Sequence, residues 1–156
     1  MPWIQARWHV PTSRLGVFGI GAGGQGALRL AFRHSGLFQT VAGINAILDF
    51  HDLYHSGTAL DEMYDSKEQC RQDTAILQIH PAQYPAHMFF CYDPASHWIV
   101  RGNDRLHEKL GALGIPHEID FSTTANGGGE GYVDRIAERV VQFLARGIEE
   151  TSRRLL

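Results

Sequence analysis

Short apolar runs alternate along this chain with stretches whose apolar residues recur every three or four positions. Leu15 to Ile20 is a compact apolar run followed by Gly21 to Gly26, after which Ala27, Leu28, Leu30, Ala31 and Phe32 crowd a segment that is apolar over most of its surface. That order predicts a buried strand, a glycine turn and a buried helix. Phe38 to Ile44, Ala86 to Tyr92 and His117 to Phe121 supply three more short strands. Trp3 to Val10 has helical spacing and stops at the turn cluster Pro11-Thr12-Ser13.

Two later segments carry clear helix signals. Asn103 is placed to cap a helix with Leu106, Leu110 and Leu113 on one face, ended by Gly114 and Pro116. Val133, Ile136, Ala137, Val140, Val141 and Leu144 form a wide apolar stripe on a last helix, whose dipole Arg153 and Arg154 complete. Asp49 to Ile79 is polar and weakly periodic, which predicts short helices crossing above the strand ends. Strands alternating with helices imply an α/β domain with a mostly parallel sheet of about four strands flanked by helices. Strands of a parallel sheet ordinarily have neighbours on both sides, so the expected sheet is one whose N-terminal strands are missing. The open apolar edge predicts self-association or a partner chain that covers it.

Composition mainly excludes. The 156 residues give room for one domain, 1–156, and 44% hydrophobic with 20% charged residues is ordinary globular composition. A net charge of −3 gives no electrostatic reason to expect nucleic acid or an anionic membrane as partner. No apolar run approaches the ~20 residues that cross a bilayer, and Met1-Pro2-Trp3 begins no signal peptide, so a cytoplasmic protein is expected. Cys70 and Cys91 stand 21 positions apart without a CxxC partner and read as plain buried or half-buried thiols.

Gly19-Ile20-Gly21-Ala22-Gly23-Gly24 matches the dinucleotide fingerprint in pattern and context. The acidic residue that such a site places about 20 positions on is absent from the end of the next strand, near Ile44-Asn45, and Asp49 comes later. The same sharp strand-to-helix turn is how an α/β-hydrolase presents its nucleophile. Arg14 to Phe38 resembles the nucleophile-elbow region of esterase D type esterases, where Gly-x-Ser-x-Gly-Gly precedes a small-residue helix. Arg101 to His117 resembles the helix and strand between that family's acid and histidine. The similarity covers nearly all of this chain and only the C-terminal half of a complete family member.

The resemblance implies a partial α/β-hydrolase fold and a carboxylic-ester hydrolase ancestry, with the triad positions falling on Gly21, Ser96 and Gly128. Gly21 has no side chain with which to attack a carbonyl. Asp93 is a possible substitute for the acid at Ser96, and no histidine follows His117. One oxyanion donor would be the backbone N–H of Ala22; the second would come from a loop upstream of Trp3. The expected protein is therefore a degenerate esterase-like domain without catalysis, acting as a binding or scaffold module or standing as a gene remnant, and taking at most a small ester or acyl ligand. Two alternatives stand beside it: an ester hydrolase with Cys91, His97 and Asp93 in a rearranged site, and nucleotide binding at the glycine turn. His51 and His55 have the i, i+4 spacing of helical metal ligands, but two surface histidines account for them, and neither a metal nor a cofactor is expected. The acidic residues Asp49, Asp52, Asp61, Glu62 and Asp65 read as a solvated cap. Gly127 to Gly131 reads as filler before the last helix. Trp3, Trp8 and Trp98 read as packing or as walls of a subsite.

Overall fold

The computed structural model describes residues 2–125 and 129–154. In chain order these form α1 (Pro2–Trp8), a 3-10 turn (Thr12–Arg14), β1 (Gly16–Ile20), α2 (Ala22–Arg33) and β2 (Thr40–Ile44). A 3-10 turn (Phe50–Leu53), α3 (Leu60–Met63), α4 (Lys67–Gln72) and a further 3-10 turn (Ala75–Gln78) lead to β3 (His87–Cys91), α5 (His97–Ala112), β4 (Glu118–Asp120) and α6 (Gly129–Arg154). The four strands are parallel and lie in sequence order, β1-β2-β3-β4.

Two-residue alternation along the central strands explains the layering. Val41 of β2 with Met88 and Phe90 of β3 enter one core, shared with Leu28 and Phe32 of α2 and Leu106 and Leu110 of α5. Ala42 and Ile44 of β2 with Phe89 and Cys91 of β3 enter a second core on the opposite face, closed by Tyr132, Ile136, Val140 and Phe143 of α6. With both faces covered, β2 and β3 are apolar without interruption, as buried parallel strands are. Phe89 and Phe90 are fully buried, one on each side, and each contributes about 2–3 kcal/mol of transfer free energy.

The predicted sheet and its flanking helices are present. Several local expectations are corrected. Asn103 is no cap: α5 begins six residues earlier, at His97, and Asn103 is a fully buried mid-helix residue whose amide donates to the carbonyls of Ala46 (2.9 Å) and Ile99 (2.8 Å). Leu113 and Val141 are exposed; Leu113 has passed beyond the last turn of α5, while the stripe of α6 keeps Ile136 and Val140 in the core with Val133 and Leu144 packed against it, and adds Tyr132 and Phe143. His51 and His55 share no helix face, because His51 lies in a 3-10 turn and His55 follows it with φ of 67°. Cys70 and Cys91 are both free and buried. Among the described residues no helix is long and apolar enough to cross a membrane.

The two edges of the sheet differ. β4 is three residues long, whereas β1 is five and leaves Phe18 and Ile20 exposed at 57% and 46%. Trp3 and Trp8 of α1 are also exposed and meet edge to face, with ring centres 5.6 Å apart.

Candidate functional site

The corner between β1 and α2 is set by its glycines. Gly21 has φ 59° and ψ −121°, a region that L side chains enter only under strain. Its N–H donates to the carbonyl of Ile44 (2.9 Å), and its own carbonyl accepts from Gln25 (3.2 Å) and Ile47 (3.1 Å), so the corner is tied to the end of β2 and to the turn beyond it. A Cβ at Gly21 would meet only the Cδ1 of Ile47, at 3.8 Å. Space for a side chain exists there, but the residue has none. At Gly19 the reverse holds: a Cβ would overlap the backbone carbonyl of Gly23. The turn is thus as tight as a nucleophile elbow needs to be and carries no nucleophile.

Ala22 opens α2, so its N–H has no intrahelical acceptor and is available at the corner. A cleft of about 520 Å³ lies over Gly21, walled by Ile20, Ile47, Trp98, Ile99 and Val133, with Asn45 and Ser96 as its polar edges. A second cleft of about 410 Å³ shares Ile47, Trp98 and Ile99 and reaches His97, Asp49, Asp52 and Arg101. Trp98, 62% exposed, therefore stands between the two as a wall, one of the roles read for the tryptophans from sequence.

Asp93 and Ser96 separate clearly in three dimensions. Asp93 is 3% exposed; its Oδ1 accepts from the Ala95 N–H (3.0 Å) and its Oδ2 from the Ala125 N–H (3.3 Å). The Asp93 N–H donates to Oδ1 of Asn45 (2.8 Å), which sits in the left-handed region with φ of 47°. In a hydrolytic triad the acid holds an imidazole; this carboxylate holds the backbone of the segment after β4. Gly128, the position matched to the triad histidine, lies outside the described residues. Ser96 is the residue before α5, with its N–H bonded to the Asp93 carbonyl (2.9 Å), and it faces the cleft.

The residues of the rearranged site do not gather into a nucleophile and base. Cys91 is fully buried in β3, and burial pushes its thiol up to about 12, against a smaller downward pull from the neighbouring Tyr132. A thiol so placed is neutral at physiological pH, the opposite of an activated cysteine. Burial likewise raises Tyr132, whose hydroxyl has no hydrogen-bond partner among the described residues. His97 is exposed at the start of α5 and borders the second cleft, not the one over Gly21. Asn45 is the site residue that sequence reading passed over. Its signal was present, since asparagine after a strand is a common left-handed turn residue.

Neither a protein-family model nor a curated protein matches this sequence. Solved structures do match. A dipeptidyl peptidase 4 from Porphyromonas gingivalis superposes with a TM-score of 0.71 at 19% identity, over 92% of this chain and 21% of its own. A ferulic acid esterase gives 0.69 at 17% identity, over 94% of this chain and 57% of its own. A fluorophosphonate-binding serine hydrolase F from Staphylococcus aureus gives 0.68 at 12% identity, over 92% and 60%. The chain thus spans between about a fifth and three fifths of the length of these structures. What it shares with them is the fold: a four-stranded parallel sheet flanked by helices, which corresponds to part of the α/β-hydrolase fold.

Proposed function

We propose that this chain is a degenerate, partial α/β-hydrolase domain of esterase D type that binds a small ester or acyl group over Gly21 without hydrolysing it. The observation that carries this reading is the elbow conformation at a residue without a side chain. The Ala22 N–H would receive the carbonyl oxygen of the ligand, and Ile20, Ile47, Trp98 and Val133 would cover its apolar part. Hydrolysis needs a hydroxyl made nucleophilic by a base. Gly21 supplies no hydroxyl, and the carboxylate of Asp93 is committed to Ala125 and Ala95. The two free, buried cysteines suit a reducing, cytoplasmic location.

Incubation with a short p-nitrophenyl ester is expected to give a rate no different from the buffer blank. Gly21→Ser is expected to stay folded at a cost of about 1–3 kcal/mol for a side chain at positive φ, and still to give no turnover, because no imidazole takes the proton. Turnover that vanishes in Cys91→Ala or His97→Ala would overturn this reading in favour of a rearranged ester hydrolase.

The exposed edge of β1 belongs to the same proposal: a second copy or a partner strand covers Phe18 and Ile20. Light scattering is expected to find the wild type self-associated and the Phe18→Lys/Ile20→Lys variant monomeric, since lysine blocks edge pairing. A wild type that is monomeric and melts cooperatively would refute the self-pairing.

A further inference from the structure

Along the C-terminal half of α5 lies a cleft of about 490 Å³, bounded by the 3-10 turn Phe50–Leu53, α4, the 3-10 turn Ala75–Gln78 and α5. Arg71, Arg105, Lys109 and His51 line it, against one carboxylate, Glu108.

The donors of this cluster are only partly used. Arg71 gives Nε and Nη2 to Glu68, both at 2.7 Å, and Arg105 gives Nη2 to Asp49. The remaining guanidinium nitrogens have no partner among the described residues. Lys109 donates to the Ile76 carbonyl (2.6 Å) and has no carboxylate partner among them; an ammonium has three protons to place. His51 is largely buried, with its side chain 13% exposed, and its Nδ1 is buried without a hydrogen bond. Asp52 and Asp49, with Lys67 and Arg105, are the charged groups that act on it, and burial holds its pKa below the usual value. Ile76, Leu77 and Ala112 add apolar lining beside the cations.

We infer that this cleft binds a small organic phosphate monoester, with the dianionic head on Lys109, Arg71 and Arg105 and the organic body against Ile76 and Leu77. Glu68 and Asp49 already balance two of the three cations, but the protons left on Lys109, Arg71 and Arg105 outnumber what the two oxygens of a carboxylate accept and suit the three oxygens of a phosphate. This site uses no atom of the Gly21 cleft, so it stands or falls apart from the reading of that corner.

Calorimetric titration with phenyl phosphate, inorganic phosphate and benzoate tests it. Phenyl phosphate is expected to bind saturably at one site, more tightly than either of the others. Lys109→Met and Arg71→Gln are each expected to weaken it by about tenfold or more, and Arg153→Gln, at the end of α6, to leave it unchanged. Arg71 is half-buried and pairs only with Glu68 of its own helix, so its variant tests the site even where Lys109→Met fails to fold. Absence of binding, or binding that survives Arg71→Gln undiminished, would overturn the site. Benzoate binding as tightly as phenyl phosphate would overturn the assignment to phosphate.

Discussion

Gly19→Ala is expected to destabilise this protein by about 3 kcal/mol or more, a large share of the 5–15 kcal/mol that holds an ordinary domain together. The reason is local and severe. A methyl group there would overlap the Gly23 carbonyl and come within 2.7 Å of the Gly24 nitrogen, all of it backbone that no rotamer change can clear. Gly24 cannot retreat, because its own Cα faces Ala46 across the turn: a Cβ there would sit 3.1 Å from the Ala46 Cα. β1 and α2 would have to separate, and with them the core that Leu28 and Phe32 share with Val41. Gly23→Ala is the matched control. Nothing lies within 4 Å of a Cβ at that position, so alanine is expected to stabilise α2 by about 0.5–1 kcal/mol through lower backbone entropy in the unfolded chain. Urea unfolding of the two variants beside the wild type reads the difference. Equal midpoints would mean that strand and helix do not approach closely at this corner, and the elbow reading of Gly21 would fall with it.

The legible part of this protein is the part governed by local periodicity. β2 and β3 are apolar runs whose burial on both sides is required by their composition, α2 buries the face of Ala27, Leu28, Ala31 and Phe32 while Leu30 is exposed, and the glycine turn between β1 and α2 announces itself because few other residues fit there. Long-range polar contacts were not legible. Asn103 has the residue type of a helix cap, and only the carbonyl of Ala46, 57 positions away, makes it a buried interior residue. The spacing of His51 and His55 suggests a shared helix face, yet the chain turns left-handed at His55 and the face is lost. At the candidate site Gly21 was readable from the motif. The partners of Asp93 were not, because the side chain of Asn45 and the N–H of Ala125 reach its loop from two other strand ends.

Asp120→Ala is expected to cost about 3–5 kcal/mol, and Asp120→Asn somewhat less. The carboxylate at the end of β4 is 4% exposed and fully engaged: Oδ1 accepts from the Ser122 and Thr123 N–H groups (2.9 and 3.0 Å) and the Ser122 hydroxyl (3.1 Å), while Oδ2 accepts from the Thr123 hydroxyl (2.9 Å) and pairs with Arg139 of α6. Burial alone would raise its pKa, but the hydrogen bonds from Thr123 and Ser122 outweigh it and the net displacement is downward. A carboxylate depressed in the folded state stabilises the fold above its unfolded pKa of about 3.9 and loses that contribution as pH falls through the lower, folded value. The gap between wild type and Asp120→Asn in urea unfolding should therefore be full at pH 7 and narrow only below about pH 4. A gap that stays constant down to the acid limit would show that the charge of Asp120 contributes nothing. The consequence reaches the cleft. The turn that Asp120 ties down leads to Ala125, whose N–H occupies Asp93, and α6, which Arg139 draws toward β4, carries the Val133 wall over Gly21. Loss of this one carboxylate is thus expected to loosen the cleft over Gly21 along with the fold, so that the ester proposed to bind there is held more weakly in Asp120→Asn than in the wild type even at pH 7, where both remain folded.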